Sequence, residues 1–110
     1  MQIKVGTVTY KVNFKLVNEI SGNKKDIDIE KTEEGFYLGR TNFATLNIEV
    51  AEEMPQEKKV NTLWHEIVHT ILYNYGIKQK DEEGFCNLMA TIIIQLIKDN
   101  PQLIRYTEDA

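Results

Sequence analysis

The sequence predicts an α+β fold in which mostly antiparallel strands come first and a two-helix hairpin follows. Three observations carry that expectation. Apolar and polar residues alternate through the first half, apolar residues fall at helical spacing after Pro55, and glycine, proline and asparagine sit at the junctions. At 110 residues the chain has the length of one domain, with 1–50 expected to be strand-rich and 55–106 helical.

Ile3 and Val5 begin the alternation, and Gly6-Thr7 reads as a hairpin turn or a bulge. Val8, Tyr10, Val12, Phe14 and Leu16 then alternate with Thr9, Lys11, Asn13 and Lys15, the period of a strand with one buried face. Residues 21–25 form a loop by composition. Ile27 and Ile29 alternate with acids, Glu33-Glu34-Gly35 turns into Phe36-Tyr37-Leu38, and Leu46, Ile48 and Val50 make a final strand. Three to five strands are expected, mostly antiparallel because the connections look too short for crossovers.

Val60, Leu63, Trp64, Ile67, Val68, Ile71, Leu72 and Tyr75 mark the first helix, with Pro55 suited to its first turn and Gly76 to its stop. A second helix starts at Asp81, a good N-cap, and runs through Leu88, Met89, Ile92, Ile93, Leu96 and Ile97 to Asn100-Pro101. Gln102 to Tyr106 adds at most a short turn.

Composition narrows the function. Hydrophobic residues make up 42% and charged residues 27%, as in an ordinary globular protein. The net charge of -4 argues against nucleic acid as a partner, since phosphate binding needs a basic face. The acidic run from Glu30 to Glu34 reads as solvated surface. A single cysteine, Cys86, allows no internal disulfide and favours a reducing compartment. No apolar block resembles a signal peptide or a membrane span, so a cytoplasmic location without a membrane partner is expected.

His65-Glu66-Ile67-Val68-His69 is an H-E-x-x-H pattern, and both histidines of the chain lie in it. Histidines at i and i+4 on a helix project from one face, so their imidazoles can converge on one zinc ion. Glu66 can then stand beside a water molecule rather than on the metal and move its proton. On a wheel of ~100° per residue, both histidines fall at the margin of the apolar stripe, where a cleft can open. A catalytic zinc needs a third protein ligand. Without another histidine, that ligand is an Asp or Glu, or else Cys86. Glu82 and Glu83 open the second helix. Glu83 shares a face with Cys86, Ala90, Ile93 and Ile97, and Glu82 shares one with Cys86, Met89 and Ile93. Periodicity leaves both open. A lone cysteine on an apolar face is ordinarily packing.

Leu63-Trp64-His65-Glu66-Ile67-Val68-His69 and Glu83-Gly84-Phe85-Cys86-Asn87 resemble the minimal gluzincin peptidases common in bacteriophages and prophages. Those are similar in turn to the ImmA/IrrE group of bacterial metallopeptidases. Asp99-Asn100-Pro101 and Gly39-Arg40-Thr41 also look like the phage proteins, so the resemblance covers roughly residues 38 to 104. It implies a zincin-like helical hairpin with His65, His69 and Glu83 as zinc ligands and Glu66 as catalytic acid/base. Cys86 would be a small packing residue and Asn87 a partner of the ligands. The resemblance also implies that Thr45 to Val50 is the edge strand along which an extended peptide aligns.

A protein or peptide substrate is the expected partner. Tyr73, one turn after His69, is a candidate oxyanion donor, with Tyr37, Tyr75 and Arg40 as rivals. The second reading is a binding module that docks a regulatory protein such as a repressor and keeps its zinc as a structural staple or relic. The third is a metal-free structural protein with a chance motif.

Overall fold

A computed structural model describes residues 1–25, 27 and 35–110, and the fold is α+β. The expected strand through Ile29 and the acidic run Glu30 to Glu34 lie outside the described residues. Strands β1 (Gln2–Val5) and β2 (Val8–Lys15) form an antiparallel hairpin that turns at Gly6-Thr7. A 3-10 turn over Val17–Glu19 follows, then β3 (Gly39–Asn42) and β4 (Asn47–Ala51). Three helices complete the chain: α1 (Gln56–Asn74), α2 (Glu82–Asp99) and α3 (Pro101–Glu108). α3 is a helix of two turns where the sequence suggested a short turn.

The four-stranded sheet has the order β1-β2-β4-β3. Two of its pairings are antiparallel, as expected. β2 and β4 run parallel, in register Val12↔Ile48. The chain between them is long enough for the crossover that a parallel pair requires. This order corrects the expected edge: β4 is paired on both sides, and among the described strands β3 flanks it at the margin of the sheet. Leu46 is likewise a turn residue rather than the first of a strand, with a φ of 58° in the β3–β4 connection. Asn42 supports that connection by accepting hydrogen bonds from the backbone N–H groups of Ala44 and Thr45.

One core lies between the sheet and α1, where Tyr10, Val12, Ile48, Val50 and Ile67 are buried together and Leu63, Trp64 and Ile71 pack against them. The buried Tyr10 hydroxyl accepts a hydrogen bond from Asn74 at 2.7 Å, which ties the end of α1 to β2 without leaving a polar atom stranded. A second, smaller cluster joins α1 to α2 through Val68, Leu72 and Cys86. α1 is therefore apolar on two flanks. The arc between those flanks carries His65, Glu66 and His69. Gly76, at φ 66°, ends the helix in the left-handed region that glycine adopts without penalty. Asp81 starts α2 by accepting from the Gly84 N–H. The short α1–α2 connection thus brings the first turn of α2 back over the middle of α1. Among the described residues, no helix is long and apolar enough to cross a membrane.

Candidate metal centre

The site forms where α1, the start of α2 and β3 meet, in a cleft of about 640 Å³. His65 and His69 stand one helical turn apart with their Nε2 atoms 3.1 Å from each other. Glu83 reaches across from α2. Its two oxygens lie 3.0 Å from His65 Nε2 and 2.8 Å from His69 Nε2. These three residues form a group able to hold a metal ion. They are the three that the resemblance implies as ligands, whereas periodicity left Glu82 and Glu83 open.

Proton placement makes the arrangement informative. Glu82 Oε2 is 2.7 Å from His69 Nδ1, so the carboxylate accepts the proton on that nitrogen. In the neutral tautomer His69 would present a bare lone pair at Nε2, facing the Glu83 carboxylate and the second imidazole. Acceptors that converge in this way repel one another unless a cation or an additional proton lies between them. His65 Nδ1 is buried and has no hydrogen-bond partner among the described residues. Such an atom costs roughly 1–3 kcal/mol whichever tautomer is adopted.

Glu82, the rival third ligand, therefore sits behind His69, holding the ring by its far nitrogen. The difference arises because consecutive residues on a helix point about 100° apart, so only one of the pair reaches the gap between the two rings.

Glu66 lies on the β3 side of the same helix and is 6% exposed. Thr41 Oγ1 donates to its Oε1 at 2.8 Å, and its Oε2 is 3.9 Å from His65 Nε2. Burial pushes its carboxyl above the usual carboxylate range, against the opposing pull of the Thr41 hydrogen bond and the two histidines. Gly39 permits this proximity. A Cβ there would meet the Thr62 methyl at 2.5 Å and the Glu66 stem at 3.3 Å, so a larger residue would push β3 away from α1. Gly39 and Thr41 alternate with Arg40 along β3 and face α1 together. Sequence reading noted all three without giving Thr41 or Gly39 a role. A four-residue strand offers too few positions for periodicity to reveal its inward face.

The remaining candidates separate. Cys86 is fully buried between α1 and α2, and desolvation pushes its thiol up to about 12, so it serves as packing. Asn87 lines the cleft, but its side chain makes no hydrogen bond to the ligand group among the described residues. Tyr75 packs beside Gly6 on the opposite flank of α1, away from the cleft. Arg40 donates to the Ser21 carbonyl at 2.6 Å and lies over the Tyr37 ring, so both side chains of that pair are occupied at the cleft's far end. Tyr73 stacks on Phe43 at 4.1 Å and lines a smaller hollow of about 250 Å³ that also touches His69. Of the four oxyanion candidates it remains the nearest to the histidines along the chain. No protein-family model, curated protein or solved structure matches the chain.

Proposed function

We propose that the protein is a zinc-dependent peptidase in which His65, His69 and Glu83 hold the metal and Glu66 handles the proton. One observation carries the reading: two imidazole nitrogens and a carboxylate meet within 3.1 Å of one another beside a buried carboxylate that does not belong to the trio.

The donor set supports zinc in particular. Two histidines and one carboxylate are the ligands of a common class of catalytic zinc, with one position left for water or substrate. Around an ion with bonds near 2.0–2.1 Å, tetrahedral ligand atoms stand about 3.3 Å apart. The trio meets that spacing by opening a few tenths of an ångström. The pairing of Glu82 with His69 Nδ1 also matches the carboxylate–histidine arrangement that fixes a ligating ring.

Bound zinc would polarise a peptide carbonyl and acidify water toward a pKa of ~7. The residues of the chain do the rest. Glu66, held by Thr41, accepts a proton from the attacking water and delivers it to the leaving amine. Its buried setting suits that double duty, because a carboxyl held above its ordinary range takes a proton more readily than an exposed one while still able to return it. An extended peptide fits beside β3, whose residues line the cleft and whose outer backbone groups are unpaired among the described strands. The substrate strand expected at 45–50 thus moves to 39–42.

A docking module with a structural zinc is the rival reading. It leaves unexplained why a buried carboxylate is held beside the metal trio without joining it. Metal analysis of the purified protein, followed by proteolysis of a generic substrate with and without chelator, tests the proposal. One zinc per chain with chelator-sensitive cleavage is expected. Zinc without cleavage would favour the docking module, and absence of metal would end both readings.

A further inference from the structure

We infer that the hollow beside His69, where Phe43 meets Tyr73, is the subsite for one large apolar side chain of a peptide substrate, on the amino side of the bond to be cleaved. The inference rests on the peptidase reading and adds a substrate preference to it.

The end of α1 builds the hollow. Ile77 donates its backbone N–H to the Leu72 carbonyl at 2.9 Å, and Gly76 donates to the Tyr73 carbonyl at 3.3 Å. Those two bonds make a Schellman motif, in which the apolar residue beyond the glycine folds back onto the last full turn. Leu72, 3% exposed, forms the floor, with Ile77 beside it. Phe43, arriving from the β3–β4 connection, stacks on Tyr73 with the rings 18° apart and makes an aromatic wall. Tyr73 and Ile77 nevertheless stay 62% and 45% exposed. Backbone hydrogen bonds and ring stacking thus hold two large apolar side chains in fixed places and leave them half open to solvent. His69 lines both this hollow and the metal cleft, so the two spaces are continuous.

Size and direction select the occupant. A cavity of about 150 Å³ holds a benzene ring. At about 250 Å³ the hollow takes one ring or one branched side chain, and neither a helix nor a folded partner enters it. The direction follows from three contacts. Gly39, Thr41 and Phe43 advance along the chain as their neighbours Thr62, Glu66 and Tyr73 advance along α1. β3 and α1 therefore run the same way past the histidines. A peptide that adds to β3 in antiparallel fashion, the more stable pairing, runs from the hollow toward Gly39. His69 lies between Glu66 and Tyr73 along α1, which puts the hollow on the amino side of the metal. Lys78 and Glu82 also line it, and Glu82 is turned to His69 Nδ1. A phenylalanine or leucine side chain covers the floor and wall, whereas glycine leaves them wet.

Two small hydroxamates and zinc-loaded protein test this. N-acetylphenylalanine hydroxamate and N-acetylglycine hydroxamate carry the same metal-binding group and differ only in the side chain on its amino side. By calorimetry the phenylalanine compound should bind about 10- to 100-fold more tightly. Ile77→Asp sets a carboxylate in the hollow and should bring the two affinities within ~3-fold of each other, with helix content checked by circular dichroism. Mass-spectrometric mapping of the ends released from an unfolded protein substrate should show large apolar residues enriched in the first or second place before the cleaved bond. Equal binding of the two compounds to the native protein would overturn the subsite while leaving the metal reading in place. Failure of both to bind would remove the metal reading and the inference with it. Cleavage that selects side chains only after the bond would also overturn the subsite.

Discussion

α1 and α2 are almost equal in length, 19 and 18 residues, yet they are held in different ways. α1 is gripped between the sheet and α2, and its site residues are anchored accordingly. Glu66 is buried and bonded to Thr41, and the two histidine side chains are 13% and 12% exposed. α2 packs principally on α1, and the Glu83 side chain is 73% exposed. A side chain fixed by packing keeps its place whether or not an ion is bound. A surface carboxylate holds its position through the charge it meets, because exposed ion pairs supply little by themselves. On the proposed function, chemistry would fall to α1 and cation capture to α2, and substitutions on the two helices should fail in different ways.

The largest effect belongs to α1. Glu66→Gln keeps the shape and an acceptor for Thr41 but removes the base, so kcat should fall by ~10²- to 10⁴-fold. Zinc per chain should stay unchanged by elemental analysis. Retained turnover would move the proton-transfer role to another group and break the division.

Substitution on α2 should reverse the pattern. Glu83→Ala should weaken zinc by more than ~100-fold in a chelator competition, whereas Glu82→Ala, which only frees the far side of His69, should cost about 10- to 100-fold. Equal losses would mean that the two carboxylates share the ion. Chelation of the native protein sharpens the same point. Zinc at 100 times its Kd adds about 2.7 kcal/mol of stability. Its removal should therefore lower Tm by roughly 10 °C for a domain of this size. In the Glu83→Ala variant the shift should nearly vanish at the same zinc concentration.

The helices were legible in the sequence because each signal was local. Apolar spacing, Pro55, Gly76 and the Asp81 cap lie within the elements they define. The two histidines and Glu66 followed from one helical turn. The sheet order was not legible, since β2 and β4 pair across a long connection that no period marks. For the same reason the edge of the sheet was expected at Thr45 to Val50, whereas among the described strands β3 lies at that edge. Glu82 and Glu83 are adjacent, and periodicity treats neighbours nearly alike. Only three-dimensional packing directs one between the two rings and the other behind His69. Thr41 was invisible because its partner is 25 residues away and a threonine in a strand carries no signal of its own.

Thr41 supplies the smallest test of the division, and the most specific one. Thr41→Val preserves volume and removes the hydroxyl that donates to Glu66. A hydrogen bond to a charged group is worth roughly 1.5–3 kcal/mol, and part of that is recovered as water or substrate approaches the cleft. Turnover should fall about tenfold, near 1.4 kcal/mol, with zinc content unchanged. The direction of the pH effect follows from the forces on Glu66. Burial raises its pKa and the Thr41 hydrogen bond lowers it, so deleting that bond moves the pKa further up. A base must be ionised to act, so the acid limb of the kcat/KM profile should shift to higher pH. Thr41→Ser restores the donor and should return the limb to its original position. A profile that is identical in all three proteins would show that β3 merely packs against α1 and takes no part in preparing the base.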